Sequence, residues 1–222
     1  MKNKEKIYID FLGFSGSGKT TIYNSLVKEF EKDGIKAISG SVEFEKLNKI
    51  HRHVAPIFTD PFFSIKTLFL FKKFLKDKVK RNVIKYFLID RYFFKTKKFN
   101  YYLHNGPLHY IKEADKKTLV RLLDFYPGDS LYLVFVNTPV QIIQKRREER
   151  ERRKGEKKDS KRKKRENMEV LENRYKKTRE FFFFLKEENP QGRVKKFIII
   201  DGKRPVNENV EILKKEILEK IK

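Results

Sequence analysis

Glycines, a lysine and a threonine lie between Gly13 and Thr20 at a spacing suited to binding phosphate. The stretch reads Gly-Phe-Ser-Gly-Ser-Gly-Lys-Thr and matches GxxxxGK[ST] at every fixed position. Glycine allows backbone conformations that a Cβ forbids, so successive N–H groups can point at one phosphate. Lys19 can then neutralise the β- and γ-phosphates while the Thr20 hydroxyl binds Mg²⁺. The pattern therefore predicts a site for ATP with Mg²⁺.

The residues on either side of this loop predict the elements that hold it. Before it, Lys6–Leu12 is a short apolar run rich in β-forming residues, which we interpret as a strand. After it, apolar residues recur at helical spacing from Ile22 to Phe30, and Gly34 is placed to end that helix. A chance Gly/Ser-rich turn would not need this context. The predicted ATP-binding residues are Gly13, Ser15, Gly16, Ser17, Gly18, Lys19, Thr20 and Thr21.

A second pair of chemically capable residues, Asp90 and Arg91, follows the apolar run Tyr86–Ile89. We interpret this run as a buried strand that delivers Asp90 to the sheet edge where ligands bind in open α/β sheets. A carboxylate there can hold Mg²⁺ opposite Thr20, and Arg91 can grip an acceptor phosphate through its planar fork. The alternative is a strand-ending Asp in a turn, with the arginine in solvent.

Further apolar runs and helical patterns alternate along the chain. Besides the two strands above, the predicted strands are Leu131–Val136, Phe197–Asp201 and, more weakly, Ile35–Ser39. The predicted helices lie around residues 62–81, 108–125, 140–153, 166–187 and 206–221. This alternation predicts one α/β domain over residues 1–222, with a five-stranded parallel sheet between two helical layers. Asn105-Gly106-Pro107 reads as a turn before a helix.

The segment Lys145–Arg165 concentrates the charge of the chain. Fourteen of its twenty-one residues are Lys or Arg and five are acidic. We interpret it as a basic helical lid, in which Arg146, Arg147 and Arg150 neutralise the transferring phosphoryl group. Ordinary i,i+4 ion pairs on a solvated helix are the alternative, and for Lys157–Arg165 we favour it. Contact with nucleic acid is a third interpretation, weakened because the segment has no aromatic residues for stacking.

The composition limits the classes of protein. The chain of 222 residues has no Cys, which excludes disulfides, thiolate zinc sites and a cysteine nucleophile, and fits a cytoplasmic location. No apolar stretch approaches the roughly 20 residues that a membrane span needs. The net charge of +24 favours polyanionic partners without choosing among them. Phe62–Leu75, where aromatics alternate with lysines, fits a helix lining an acceptor pocket or, less well, one lying on a membrane surface.

With Asp90-Arg91-Tyr92, the chain resembles the thymidylate kinase superfamily of P-loop kinases over most of its length. The family has an Asp-Arg-Tyr or Asp-Arg-His motif, and about ten residues later a Tyr-Gln pair near the bound base, where this chain has Phe99-Asn100. Residues 138–146 are similar to the Pro-Glu segment that leads into an arginine-bearing lid. Leu171–Tyr175 and Ile200-Asp201-Gly202 are similar to the family's next helix and fifth strand.

The departures from this family fall where it recognises its acceptor. Ser15 stands where thymidylate kinases carry an acidic residue. Leu68–Phe71 resembles the base-stacking Leu-Leu-Phe, but lysines lie nearby in place of the expected arginine. The loop alone is closer to adenylylsulfate kinases, whose Asp-Gly-Asp is replaced here by Ser39-Gly40-Ser41. The acceptor-binding residues that the resemblance implies are Phe71, Lys72, Arg91, Phe99 and Asn100.

Together these patterns predict a Mg²⁺-dependent phosphotransferase with the three-layer P-loop kinase fold. Its acceptor would be a small molecule, first a nucleoside monophosphate such as thymidylate. A sugar, a glycan or another small molecule is the alternative acceptor, favoured by the loss of the acidic loop residue. A nucleotide-dependent nucleic-acid-binding protein is an alternative of another class, and a homodimer is left open.

Overall fold

The protein is described by a computed structural model covering residues 5–48, 55–70, 81–110, 122–153, 168–189 and 192–219. Within these ranges five strands form one parallel sheet. The strands are β1 (Ile7–Leu12), β2 (Ala37–Ser39), β3 (Tyr101–His104), β4 (Ser130–Asn137) and β5 (Val194–Asp201). The helices are α1 (Lys19–Lys32), α2 (Gly40–Lys46), α3 (Ala55–Thr59), α4 (Pro61–Leu70), α5 (Arg81–Thr96), α6 (Val140–Arg153), α7 (Met168–Glu188) and α8 (Val206–Leu218). The predicted five-stranded parallel α/β fold is confirmed.

The strand order β2-β3-β1-β4-β5 places the first strand in the middle of the sheet. β1 pairs with β3 on one side, where Asp10 lies opposite His104, and with β4 on the other, where Leu12 lies opposite Phe135. From β1 the chain crosses over to β2, and from β3 it crosses back to β4. The connections that leave β1 and β4 therefore run toward opposite edges of the sheet, which makes a switch point beside β1. Open α/β sheets bind ligands in the crevice at such a switch point.

Both faces of the sheet are covered, as the near-continuous apolar strands require. β1 is buried along its whole length. Ile9 and Phe11 point to the face covered by α1 and α8, where they meet Leu26 and Leu213. The β1 residues that alternate with these two point to the other face of the sheet. There they pack in a second core against α5 and α7, which is rich in phenylalanine and tyrosine. The sheet thus forms a rigid middle layer, and its carboxyl edge presents the loops that follow β1, β3, β4 and β5.

The predicted strand Tyr86–Asp90 is wrong, because these residues lie inside α5. The buried residues Val83, Ile84, Phe87 and Phe94 recur at helical spacing, one turn apart. A short apolar run such as residues 86–89 does not distinguish a buried strand from a segment of a buried helix. The third strand is instead β3, four residues long, which the sequence analysis did not identify.

The other predicted elements agree with the structure where it describes them. Three predicted strands lie within or overlap observed ones, namely residues 35–39 with β2, 131–136 with β4 and 197–201 with β5. The helix predicted at residues 140–153 matches α6 at both ends. The helices predicted at residues 166–187 and 206–221 correspond to α7 and α8. The helix predicted over 62–81 corresponds to α4 as far as Leu70, and part of the one over 108–125 lies outside the described residues. In the described part of the chain, no helix is long and apolar enough to span a bilayer.

Candidate active site

The glycine-rich loop joins the end of β1 to the start of α1, as predicted. Gly16 and Gly18 both have φ near 97°, in the left-handed region that L side chains rarely adopt. Gly18 is also the residue that precedes the first turn of α1. A Cβ at Gly16 would lie 3.3 Å from side-chain atoms of Arg147 and Ile143, so α6 packs closely against this turn. The N–H groups of α1's first turn therefore point toward the loop, together with the positive end of the helix dipole.

Lys19 is the first residue of α1, and its side chain turns back into the loop. It is buried, and its Nζ donates hydrogen bonds of 2.9 Å to the carbonyl oxygens of Gly13 and Phe14. The loop thus holds the ammonium group at its centre, where a bound phosphate would meet it.

Two cavities adjoin the loop. The first, the threonine cavity, has a volume of about 230 Å³. It is lined by Ser15, Gly16, Gly18, Lys19, Thr20, Thr21, Asn105 and Arg150. The second, the arginine cavity, has a volume of about 290 Å³ and lies on the other side of the loop. It is lined by Gly16, Ser17, Gly18, Thr21, Ile22, Arg146, Glu149, Arg150, Gly202, Arg204 and Val206. Arg150 borders both cavities, which places one cation between them.

The structure brings the three arginines predicted for the lid to the loop. Arg146 donates hydrogen bonds to the carbonyl oxygens of Ser17 (3.2 Å) and Gly202 (2.9 Å), and so ties α6 to the loop and to the end of β5. The guanidinium of Arg147 lies over the Phe14 ring, 5.0 Å from its centroid. Their placement matches the prediction, while their part in catalysis remains a prediction. The distal lid, residues 154–165, lies outside the described residues.

The end of β5 contributes the wall of the arginine cavity opposite α6. Gly202 follows β5 directly, and a Cβ there would lie 1.8 Å from Thr138 Oγ1, so only glycine fits. The Thr138 hydroxyl in turn donates to the Ser17 carbonyl at 3.1 Å. The turn after β4, the turn after β5 and the loop after β1 are therefore bonded into one unit at the carboxyl edge of the sheet.

Asp90 does not stand at a strand end, and this part of the prediction is corrected. Its carboxylate is fully buried and accepts hydrogen bonds of 2.5 Å from the hydroxyls of Tyr8 and Tyr102. His104 Nδ1 lies 3.2 Å from the same carboxylate. Burial, and then the charge of Asp90, raises the pKa of Tyr8 and of Tyr102 well above the ordinary value, so both remain donors. Asp90 lines neither cavity, and the structure does not bring it to Thr20 as a metal ligand.

Arg91 joins two helices in the structure. Its Nε donates to Asp60 Oδ2 at 3.1 Å, and its guanidinium lies 5.1 Å from the centre of the Phe63 ring. Lys95 binds the same carboxylate at 2.8 Å. Burial opposes the charge of Asp60, but the hydrogen bonds from Lys95 and Arg91 lower its pKa below the ordinary value. The role of Arg91 toward an acceptor phosphate stays a prediction.

The other predicted acceptor contacts are not brought to the loop. Phe99 is buried against Phe94 and Tyr102, and the carbonyl of Asn100 accepts from the backbone N–H of Ile7 at 2.8 Å. Both therefore lie at the amino edge of the sheet, about 20 Å of strand from the loop that follows β1. The resemblance implied that these two residues contact the acceptor, and the structure places them away from the loop. Phe71 and Lys72 lie outside the described residues.

Asn105 is the site residue that the sequence analysis missed. It follows β3 directly, beside the loop that follows β1, and it lines the threonine cavity with Lys19 and Thr20. Its Oδ1 is buried and has no hydrogen-bond partner. Buried amide oxygens are usually bonded, so this atom is a candidate ligand-binding group. The sequence carried one signal for it, the apolar run Tyr101–Leu103 before a turn, which is too short to predict a strand.

Asp10 fixes the turn that carries Asn105. Its Oδ1 accepts the Gly106 N–H at 2.9 Å, and the Tyr126 hydroxyl donates to its Oδ2. A Cβ at Gly106 would lie 2.7 Å from the Asp10 carboxylate and from Tyr8 Oη, so this contact requires glycine. Burial raises the pKa of Asp10 to about 6, although the hydrogen bonds from Tyr126 and Gly106 act to lower it.

The oxygen atoms around the threonine cavity fit Mg²⁺. The Thr20 hydroxyl and the Asn105 amide oxygen are hard ligands of the kind that Mg²⁺ accepts. Among the described residues, no cluster of three or more His, Asp or Glu side chains could hold a metal by itself. This agrees with the usual behaviour of Mg²⁺, which keeps several waters and takes its remaining ligands from one or two side chains and from substrate phosphates.

Three similar solved structures are kinases by name. A deoxyadenosine kinase from M. mycoides with bound dCTP is 16% identical, with 95% of this chain and 98% of that chain covered and a TM-score of 0.45. An APS kinase from Mycobacterium tuberculosis in complex with AMPPNP and APS is 12% identical, with 98% of this chain and 99% of that chain covered and a TM-score of 0.47. A shikimate kinase from Acinetobacter baumannii in complex with shikimate is 17% identical, with 100% of this chain and 97% of that chain covered and a TM-score of 0.45. At this level of similarity, none of them identifies the substrate of this chain. No family model matches the sequence, and no curated protein does so either.

Proposed function

We propose that this protein is a Mg²⁺-dependent phosphotransferase that moves the γ-phosphate of ATP to a small acceptor. The observation that carries the proposal is the loop itself. It lies at the switch point of a parallel sheet, with Lys19 at its centre and the arginines of α6 on its rim. Such an arrangement can bind a triphosphate and neutralise charge as the phosphoryl group moves.

Each wall of the site has a part in this proposal. The N–H groups of the loop and of α1's first turn bind the β-phosphate, and Lys19 exchanges its carbonyl partners for phosphate oxygens. The arginine cavity, lined by Arg146 and Gly202, takes the nucleoside of ATP. Arg150 lies where it can reach the phosphates from both cavities. Thr20 and Asn105 would hold Mg²⁺, which would neutralise charge on the phosphates of ATP.

The acceptor we propose first is a nucleoside monophosphate, on the strength of the thymidylate kinase resemblance in Asp90-Arg91-Tyr92, in residues 138–146 before the lid and in the β5 turn. A small molecule without a base is a second candidate. It is favoured by Ser15 in place of an acidic loop residue, and by Phe99 and Asn100, which lie far from the loop. Arg91, tied to Asp60, would have to exchange partners to bind an acceptor phosphate.

An acceptor screen tests the proposal. The protein is incubated with ATP, Mg²⁺ and a panel of nucleosides, nucleoside monophosphates, sugars and glycans, and products are identified by mass spectrometry. Lys19→Ala serves as the inactive control, and Lys28→Ala, an exposed lysine on the same helix, as the matched active one. A phosphorylated acceptor in the wild type and in Lys28→Ala supports the proposal. The absence of any acceptor-dependent ADP, with intact ATP binding, would reject the kinase assignment.

A further inference from the structure

The helix α4 is turned with its apolar side toward solvent. Ser64 and Thr67 are its buried residues, whereas Phe62 and Phe69 are 89% and 77% exposed. A surface helix normally directs its apolar residues to the core and its polar residues to water. Here the Ser64 hydroxyl is buried without a hydrogen-bond partner, and the Thr67 hydroxyl bonds the carbonyl of Phe63, one turn back. The reversal indicates that the outward face meets an apolar environment.

Exposed apolar residues are concentrated on α3 and α4. Phe62, Ile65 and Phe69 are three and four residues apart, which places them on one side of the helix. The neighbouring helix α3 adds Phe58, which is 77% exposed, and Ile57. We call these five residues the phenylalanine stripe. Scattered exposed apolar residues are ordinary, but a contiguous group of this kind marks an interaction surface.

The packing of α4 holds the stripe outward. Asp60, just before the helix, is bound by both Arg91 and Lys95 of α5. Phe63, on the opposite side from the stripe, packs against Phe125 and lies under the Arg91 guanidinium. Turning the helix to bury the stripe would break these contacts. The orientation is therefore fixed by the fold.

The charges around the stripe favour an anionic partner. Within α4 the one charged residue is the exposed Lys66, and the helix carries no anion. The whole chain carries +24. Two copies of the chain meeting at this face would repel each other, whereas a surface of anionic lipid would attract it. Phenylalanine and lysine on one short helix are also typical of helices that lie in a membrane interface.

We propose that the phenylalanine stripe of α3 and α4 docks the protein onto the surface of an anionic lipid bilayer. The stripe enters the boundary between headgroups and acyl chains, and the net positive charge of the chain attracts the anionic headgroups. This inference does not depend on the phosphotransfer proposed above, because none of the stripe residues lines the threonine or arginine cavity.

Vesicle co-sedimentation tests this proposal. The wild-type protein is compared with Phe62→Ser/Phe69→Ser on vesicles of phosphatidylcholine with phosphatidylserine, and on phosphatidylcholine alone. Because burying one phenylalanine is worth about a tenfold change in partitioning, the double variant should bind about a hundredfold more weakly. The matched control is Val170→Ser/Leu218→Ser, which removes two exposed apolar residues elsewhere and should bind like the wild type.

The outcomes separate lipid from other partners of the stripe. Circular dichroism confirms that the variants are folded, and all substituted positions are exposed. Binding that needs both phosphatidylserine and the two phenylalanines supports the proposal. Equal binding of wild type and double variant would mean that charge alone attracts the chain, and would overturn it. A wild-type dimer that the double variant converts to monomer, without vesicle binding, would assign the stripe to a second copy instead.

Discussion

At the scale of single residues, the site combines groups that the motif names with one that it does not. Lys19 and Thr20 follow from the spacing of the loop, since a contiguous motif carries its own geometry. Asn105 does not follow from spacing, because it reaches the loop only through the pairing of β3 with β1. Asp90 was predicted from the sequence to be an acid at the end of a strand. In the structure it is buried and accepts hydrogen bonds from two tyrosines. Local motifs are readable from sequence, and contacts made by sheet register are not.

Asn105→Ala should weaken Mg²⁺-dependent turnover. The substitution removes the buried amide oxygen beside Thr20, so we expect kcat to fall about tenfold to a hundredfold and the Mg²⁺ concentration for half-maximal rate to rise. Steady-state rates over a Mg²⁺ titration measure both effects. Asn173→Ala, at an exposed position on α7, is the control and should behave like the wild type. An unchanged Mg²⁺ dependence in Asn105→Ala would remove Asn105 from the metal site.

Asp10 should make stability depend on pH. Its pKa is raised from 3.8 to about 6, so the folded protein binds the proton more tightly than the unfolded chain. The resulting stabilisation is fully present below about pH 4 and is lost as the pH rises through about 6, an effect on the order of 3 kcal/mol. Asp10→Asn does not titrate and should gain stability relative to the wild type over that interval.

Urea unfolding of both proteins at a series of pH values measures this difference. Asp124→Asn, at an exposed position, controls for the loss of one carboxylate and should track the wild type. A constant difference between Asp10→Asn and the wild type across the whole pH series would contradict the assignment of a raised pKa to Asp10.

At the scale of elements, the prediction succeeded where a run of residues was long or had a distinctive end. The strand β4 contains the six-residue apolar run Leu131–Val136, and β5 has the apolar run Phe197–Ile200 just before Asp201-Gly202. The helix α6 follows a Thr-Pro turn that fixes its start. The prediction failed for β3, which it missed, and for α5, part of which it took for a strand, because these elements lack such signals. The strand is four residues long, while the helix contains the apolar run Tyr86–Ile89, which resembles a strand when taken alone. Tertiary packing decides such cases.

In the proposed phosphotransfer, α6 is the element whose side chains act most directly on the phosphates. Arg146 and Arg150 are one turn apart and both line the arginine cavity. Replacing both with alanine should lower kcat by roughly a hundredfold to a thousandfold, since two positioned cations are lost from a partly enclosed site. Rates of ATP turnover under saturating substrate measure the effect. The double variant Lys145→Ala/Arg152→Ala removes the same charge from exposed positions of the same helix and should retain most of the activity.

A nucleic-acid role for the basic segment predicts a different pattern. Neutralising Lys161–Arg165 would then weaken RNA affinity and flatten its salt dependence, while the Arg146 and Arg150 pair would contribute only its share of charge. Unchanged kcat in the Arg146/Arg150 double variant would reject the lid.

At the scale of the whole molecule, the sheet organises everything that the site needs. β1 lies between β3 and β4, so the loops carrying Lys19, Asn105 and Thr138 meet at one edge. The fold class could be predicted because strands and helices alternate along the chain. The strand order could not, since it depends on which strands pair across large separations in sequence. A net charge of +24 adds a field that draws anions to this edge and, in our proposal, a lipid surface to the phenylalanine stripe.

Transfer of labelled γ-phosphate under single-turnover conditions shows whether Lys19 supports phosphotransfer by this protein. Wild-type protein, Lys19→Ala and Lys28→Ala are mixed with γ-labelled ATP, Mg²⁺ and the acceptor found in the screen, after circular dichroism shows that all three are folded. The account predicts transfer at equal rates by the wild type and Lys28→Ala, and a loss of roughly a thousandfold in Lys19→Ala. Equal transfer rates in Lys19→Ala and the wild type would contradict it.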